Sequence, residues 1–427
     1  MNRLAPVVVP LAAALALGGP VPAADLLVEV GNPAAYQTLQ DALDAAQPGD
    51  RILIKGLVVL EAPVIIRTSV TIESFDAQFA DLLFVYGASH GNARLIIDAL
   101  APDIPLTFRR LLLHNECSSP LFFSPGIVTQ NHVAGEVRLD EVEMSFGNCY
   151  SGLTGVYRRK LLDLDVNRVW LRRCRIVAED AAPREGCPGG ADPPVFDGAS
   201  GVSVTADLLV MDDCSIRGGS AAPVFSGRCQ YGELMVAGFG GFALRADCPH
   251  TILTRCTFSD GNGGYVQSGG WAKTPAPGQA IPSQFVRPGA VLDAFDVQHE
   301  QGLDGQVFMD FPGPGRGATI SIGDLLAPLS VGGSGVLGER VTFDVAPFQH
   351  SAAALLIGHG WGLVPTPFGN ALLDFTLPVV AVPVSKPSIS FGVPNDVALV
   401  HLPVVSQLFY ANDGWFFGNA SGLEMRR

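Results

Sequence analysis

Positive charge is scarce in this chain of 427 residues: 27 Lys and Arg stand against 41 Asp and Glu, and only Lys55, Lys160, Lys273 and Lys386 are lysines. The formal net charge of -14 argues against a nucleic-acid binder, because phosphates demand a basic face. The shortage of lysine fits GC-rich coding rather than a function. Long apolar runs are missing beyond the N-terminus, so no segment of the mature chain is expected to span a membrane, which takes about 20 apolar residues. No His-x-x-His or Glu-x-x-His spacing occurs, which removes the common zinc patterns, and no metal or cofactor is expected. Charged residues make up 16% of the chain against 49 Gly and 32 Pro, a balance that suits a turn-rich β protein rather than a helical one.

One apolar stretch, residues 4–17, follows the positive Arg3 and precedes the small residues of Val21-Pro22-Ala23. Pro6 and Pro10 interrupt it, and it is shorter than a span. Residues 1–23 therefore read as a cleaved signal peptide, which predicts a secreted, extracellular or periplasmic protein. The chain ends at Glu424-Met425-Arg426-Arg427 without an apolar tail.

An internal repeat dominates the first half. Leu106-Thr107-Phe108-Arg109-Arg110-Leu111-Leu112-Leu113, Val137-Arg138-Leu139-Asp140-Glu141-Val142-Glu143-Met144 and Val169-Trp170-Leu171-Arg172-Arg173-Cys174-Arg175-Ile176 share one template: apolar, any, apolar, two polar, apolar or Cys, any, apolar. Residues 209–216 and the stretch from Ile252 to Phe258 follow it again. Period-two alternation on both sides of a polar pair predicts two short strands meeting at an exposed corner, with alternate side chains in a shared interior. Gly126-Ile127, Gly155-Val156, Gly201-Val202 and Gly241-Phe242 mark a further strand in each coil. The aligned residues Leu111, Val142, Cys174, Cys214 and Cys256 advance by 31, 32, 40 and 42 positions, so loops of growing length separate constant strands. Ahead of the repeat, Leu39, Ala42, Leu43 and Ala46 fall at helical spacing, Pro48-Gly49-Asp50 ends that helix, and Arg51-Ile52-Leu53-Ile54 reads as a strand.

Residues 36–54, together with the later Cys-x-Ile and Cys-x-Phe corners, resemble the pectin lyase-like right-handed parallel β-helix superfamily over about residues 25–270. The resemblance implies an all-β fold, with a capping helix at the N-terminal end of the coils. It implies no single activity, since that superfamily includes lyases, hydrolases, esterases and adhesins. The Asn-Thr-Asp and Arg-Ile-Lys steps of its pectinolytic members are missing, and so is a calcium-binding Asp cluster with a matching Arg. The expected division is a β-helix over 24–270, a linker over 271–317 around Thr274-Pro275-Ala276-Pro277-Gly278, and a small antiparallel β-sandwich-like module over 318–427. That module is similar to C-terminal modules of secreted proteins from planctomycete-like bacteria.

All eight cysteines lie between positions 117 and 256. Cys174, Cys214 and Cys256 hold an inward template place and read as core. Cys117 and Cys149 lie just past equivalent strands and are the first disulfide candidate, with Cys187 and Cys229 the second. Three residues are weak ligand candidates: Asp212 and Asp213, a carboxylate pair of the kind glycoside hydrolases use, and Trp170, which points away from the interior. Because Arg109-Arg110, Asp140-Glu141, Arg172-Arg173 and Thr254-Arg255 occupy the same places, the acids are better explained as a corner than as a catalytic site. Two functions remain open: a non-catalytic extracellular binding or structural protein, whose partner is a polysaccharide or cell-surface component, and a diverged polysaccharide lyase or glycosidase. Oligomeric state is not legible.

Overall fold

The computed structural model describes residues 23–425, except 77, 87–92, 118–125, 147–159, 179, 181–183, 186–197, 222–223, 226–234, 237–238, 264–265, 268–274, 277–283, 286–289, 303–306, 309–318, 325–328, 334, 346–351, 368, 397–398, 400–401 and 412–414. The signal-peptide expectation falls almost wholly outside these residues. So do Cys149, Cys187 and Cys229 and the side chain of Cys117.

The chain is all-β, built on a large sheet of 21 strands that pair parallel except at one margin. Asp25–Val28 pairs in register with Arg51–Ile54, which pairs with Thr71–Ser74, which pairs with Leu106–Cys117. Leu106–Cys117 then pairs with Val133–Phe146, and the ladder continues through Lys160–Arg172, Leu208–Asp212 and His250–Thr254. The register aligns the template: Phe108, Leu139, Leu171, Met211 and Leu253 stack at its third place. All are buried, as are Leu111, Val142, Cys174, Cys214 and Cys256 at the sixth.

Backbone geometry at the fifth place explains why the template holds two polar residues in a row. Arg110, Glu141, Arg173, Asp213 and Arg255 have φ between 50° and 56°, the left-handed region that costs a non-glycine residue roughly 1–2 kcal/mol. Strict alternation would point the fifth residue inward. The left-handed residue takes up that half-step, so the third and sixth places face the same interior.

The stack runs beyond the boundary expected from the sequence. Within the segment read as a linker, Val291–Glu300 pairs parallel with both His250–Thr254 and Thr257–Ser259, and Asp296 repeats the corner at φ 52°. Thr319–Asp324 then lies antiparallel beside Val291–Glu300. The insertions also carry order of their own, for Arg184–Glu185, Val224–Phe225, Val266–Gln267 and Val307–Phe308 form a parallel ladder. Near the start, Leu39–Ala45 is a helix whose N-cap Thr38 accepts from the Asp41 amide, and Leu39, Ala42 and Leu43 are buried against the first strands.

Where the long insertions leave and rejoin the stack, departing and returning segments hydrogen-bond in one column: Gly219 N to Ala199 O at 2.7 Å, Gly241 N to Gly219 O at 2.8 Å, and Gly261 N to Gly241 O at 2.8 Å. A Cβ on Gly241 would overlap the Ala199 carbonyl, so only glycine fits.

The described residues of the second half form antiparallel sheets of three, four and two strands. Leu329–Gly332, Arg340–Val345 and Ser388–Gly392 make one. Val380–Pro383, Ala352–Gly358, Pro403–Ala411 and Trp415–Glu424 make a second, with the hairpin of Trp361–Thr366 and Gly369–Leu373 beside it. Leu329, Val341 and Phe343 of the first share a core with Leu355, Leu408 and Leu423 of the second.

Gly241→Ala is expected to lower the urea midpoint sharply or prevent soluble folding. Gly392→Ala, whose new Cβ would meet nothing, should leave the midpoint unchanged. Equal midpoints for both variants would contradict the close-approach argument.

Candidate functional site

Among the described residues, the outward places of the template carry a connected group of charges. Down the fourth place run Glu73, Arg109, Asp140, Arg172 and Asp212, then Thr254 and Phe295. The fifth place runs Arg110, Glu141, Arg173, Asp213, Arg255 and Asp296. Sign alternates from Glu73 to Asp212 in the fourth place and from Arg110 to Asp296 in the fifth, and neighbouring strands lie only about 4.8 Å apart, so within these runs successive charges face their opposites. Arg109 reaches Glu73 at 3.4 Å and Asp140 at 3.2 Å, Arg172 reaches Asp140 at 3.5 Å, and Arg173 reaches Glu141 at 2.9 Å. Arg255 binds Asp212, and Arg51 binds Glu73.

The C-terminal module lies across this charged surface. Glu424 accepts from Arg109 at 2.9 Å and pairs with Arg138 at 3.3 Å. The Ser421 hydroxyl donates to Asp212, and the Thr254 hydroxyl donates to the Ala420 carbonyl at 3.4 Å. Arg255 and Arg173 donate to the carbonyls of Leu329 and Val331 at 2.6 and 3.2 Å. Asn370 donates to Asp293 at 2.8 Å, and the other carboxylate oxygen of Asp293 is 2.9 Å from His250 Nε2. Beside these polar ties an apolar seam joins Trp170, Val210, Ile252 and Phe295 of the stack to Leu372, Leu373, Val405 and Ala420 of the module.

Burial corrects two expectations. The polar pairs are not exposed corners throughout, because Asp212 is 3% exposed, and Arg109, Arg172 and Thr254 are likewise buried; only the fifth-place partner Asp213 is exposed. Trp170 does point away from the interior between Val169 and Leu171, but it is 5% exposed. Its ring meets Trp361 edge-on at 6.0 Å, and the Arg138 guanidinium lies 5.3 Å above it. The two acids also differ in access: Asp212 is buried and tied to Arg255 and Ser421, whereas Asp213, the left-handed corner residue, is exposed.

The carboxyls of the fourth-place column respond differently to burial. For Glu73, burial is the largest effect and pushes the carboxyl up, but Arg109, Arg51 and Arg110 together outweigh it and hold the group below its ordinary range. For Asp212 burial wins over Arg255, Ser421 and Arg172, and the carboxyl is raised. The difference follows from the charges at hand: Arg109, Arg51 and Arg110 surround Glu73, whereas Asp212 has Arg255 and Arg172 and, beside it, the like charge of Asp213, which raises it further. Arg109 is raised, since Glu424, Asp140 and Glu73 overcome its burial.

Cys174, Cys214 and Cys256 are free and buried. Their thiols donate to the Arg172, Asp212 and Thr254 carbonyls at 3.3, 3.4 and 3.2 Å. Burial, then contacts with Cys174 and Cys256, push the Cys214 thiol well above its ordinary value, which disfavours the reactive thiolate. Among the described residues no group of three or more His, Cys, Asp or Glu could hold a metal ion. Asn419, which sits in a glycosylation-like triplet, is buried and holds both the amide and the carbonyl of Leu329, at 3.0 and 2.7 Å.

Sequence reasoning missed Glu424, Ser421 and Trp361 as partners of this surface. It also missed the alternation of sign, although that pattern is present once the coils are aligned. No family model matches the chain, and neither a curated protein nor a solved structure is found to be similar to it.

Because the Glu73 carboxyl is held below its unfolded value of about 4.3, its contribution is complete above that pH and is lost as pH falls through the folded value. The stability advantage of wild type over Glu73→Gln in urea unfolding should be largest near neutrality and shrink below about pH 4. An advantage independent of pH would contradict this.

Proposed function

We propose that the chain is a secreted right-handed parallel β-helix protein of pectin lyase-like architecture, with the helix Leu39–Ala45 as its N-terminal cap. Its role is non-catalytic: extracellular or cell-surface binding, or structural support. The observation that carries this reading is the burial of most of the fourth-place column where the chain's own C-terminal module lies across it. Asp212 is already bound by Ser421 and Arg255, and a glycosidase needs two carboxyls placed across one bond, with room for water or sugar between them. A substrate cannot enter a surface that the same polypeptide covers.

The uncovered side of the coils is the seventh template place, where Arg175, Ser215, Thr257 and Gln298 are exposed. From Glu143 through Gln298 the place is polar and repeats from strand to strand, which suits an extended polysaccharide or a cell-surface polymer as partner, and no cofactor is called for. The function is tested by a glycan array combined with reducing-sugar and unsaturated-product assays on the secreted chain. Binding without turnover is the expected result. Turnover abolished by Asp213→Asn, the exposed acid of the pair, would overturn the proposal in favour of a polysaccharide lyase or glycoside hydrolase.

A further inference from the structure

At the seam between the stack and the module lies a cavity of about 10 Å³ lined by Arg138, Leu139, Asp140, Trp170, Arg172 and Glu424, a volume that admits about one water molecule. Three polar atoms on its lining residues have no hydrogen-bond partner in the protein: Asp140 Oδ1, Arg172 Nη2 and Trp170 Nε1. Arg172 and Trp170 are each more than nine-tenths buried, and the nearest charge to Asp140 Oδ1 is Arg172 Nη1 at 3.5 Å, too long for a good hydrogen bond. Buried polar atoms without partners are costly and rare.

The geometry points to a binding site for one ordered water that bridges the coils at Asp140, Arg172 and Trp170 beneath the docked module. The donor set selects the ligand. Arg172 Nη2 and Trp170 Nε1 offer two N–H groups, and Asp140 Oδ1 offers an acceptor. A bound group must therefore accept twice and donate once, which water does within the usual two to four partners of a buried site. An anion would face the carboxylates of Asp140 and Glu424. A metal cation would face the guanidiniums of Arg138 and Arg172. A larger neutral ligand exceeds the volume.

The test is a crystal structure of the full mature chain grown in sodium bromide, at a resolution that shows single waters, with data collected at the bromine absorption edge. The expected result is one solvent peak within about 2.6–3.2 Å of all three atoms, without bromine anomalous signal. A bromine peak in the cavity would make the site an anion site and overturn the assignment. A cavity without density, or three side chains turned to bond one another directly, would overturn it as well.

Discussion

The alternation of charge at the corners of the stack is the interaction on which the rest of the molecule leans. Parallel in-register strands place equivalent residues about 4.8 Å apart, so an outward column of one sign would repel itself at every step. Here Arg109-Arg110 lies between Glu73 and Asp140-Glu141, and Arg172-Arg173 lies between Asp140-Glu141 and Asp212-Asp213. Each step is neutralised, and that neutrality lets the fourth-place column be covered. Glu424 completes the arrangement from outside, because Arg109 and Arg138 crowd one end of the surface and the module supplies the further carboxylate.

Buried ion pairs are not a large net source of stability, since desolvation offsets much of their attraction. Their consequence here is selectivity between alternatives. The interior columns of Leu, Val, Ile and Cys are nearly interchangeable from coil to coil, so apolar packing alone would tolerate a stack in which one coil is skipped. Skipping a coil would set Arg109-Arg110 against Arg172-Arg173, or Asp140-Glu141 against Asp212-Asp213. The left-handed residue at each corner serves the same end from the backbone side: it keeps both polar residues outward while the apolar third and sixth places meet inside.

Much of the fold was legible because it depends on local periodicity. The template named the inward residues Phe108, Leu139, Leu171 and Met211, and the buried column of Cys174, Cys214 and Cys256, without reference to anything distant in the chain. Less of the site was legible, and the reason is specific. Alternation tells which way Trp170 or Asp212 points relative to its own strand; it does not tell whether a segment two hundred residues later lies on top of it. The last coil was hidden for a different reason. Val291–Glu300 carries Phe295 at an outward polar place and His299 at an inward apolar one, so it departs from the template where the stack meets its closing strand. His299 is accommodated there by Asp260, whose carboxylate lies 2.6 Å from its Nε2.

A double-mutant cycle on the buried Arg109 and the half-buried Asp140, neighbours in the alternating column, read by urea unfolding of the full chain, tests this account most directly. If opposite charges on successive coils hold the surface that the module covers, the two alanine substitutions should be strongly non-additive, with a coupling of about 1 kcal/mol or more. Additive losses, with a coupling near zero, would contradict it and leave the alternation of sign without a structural role.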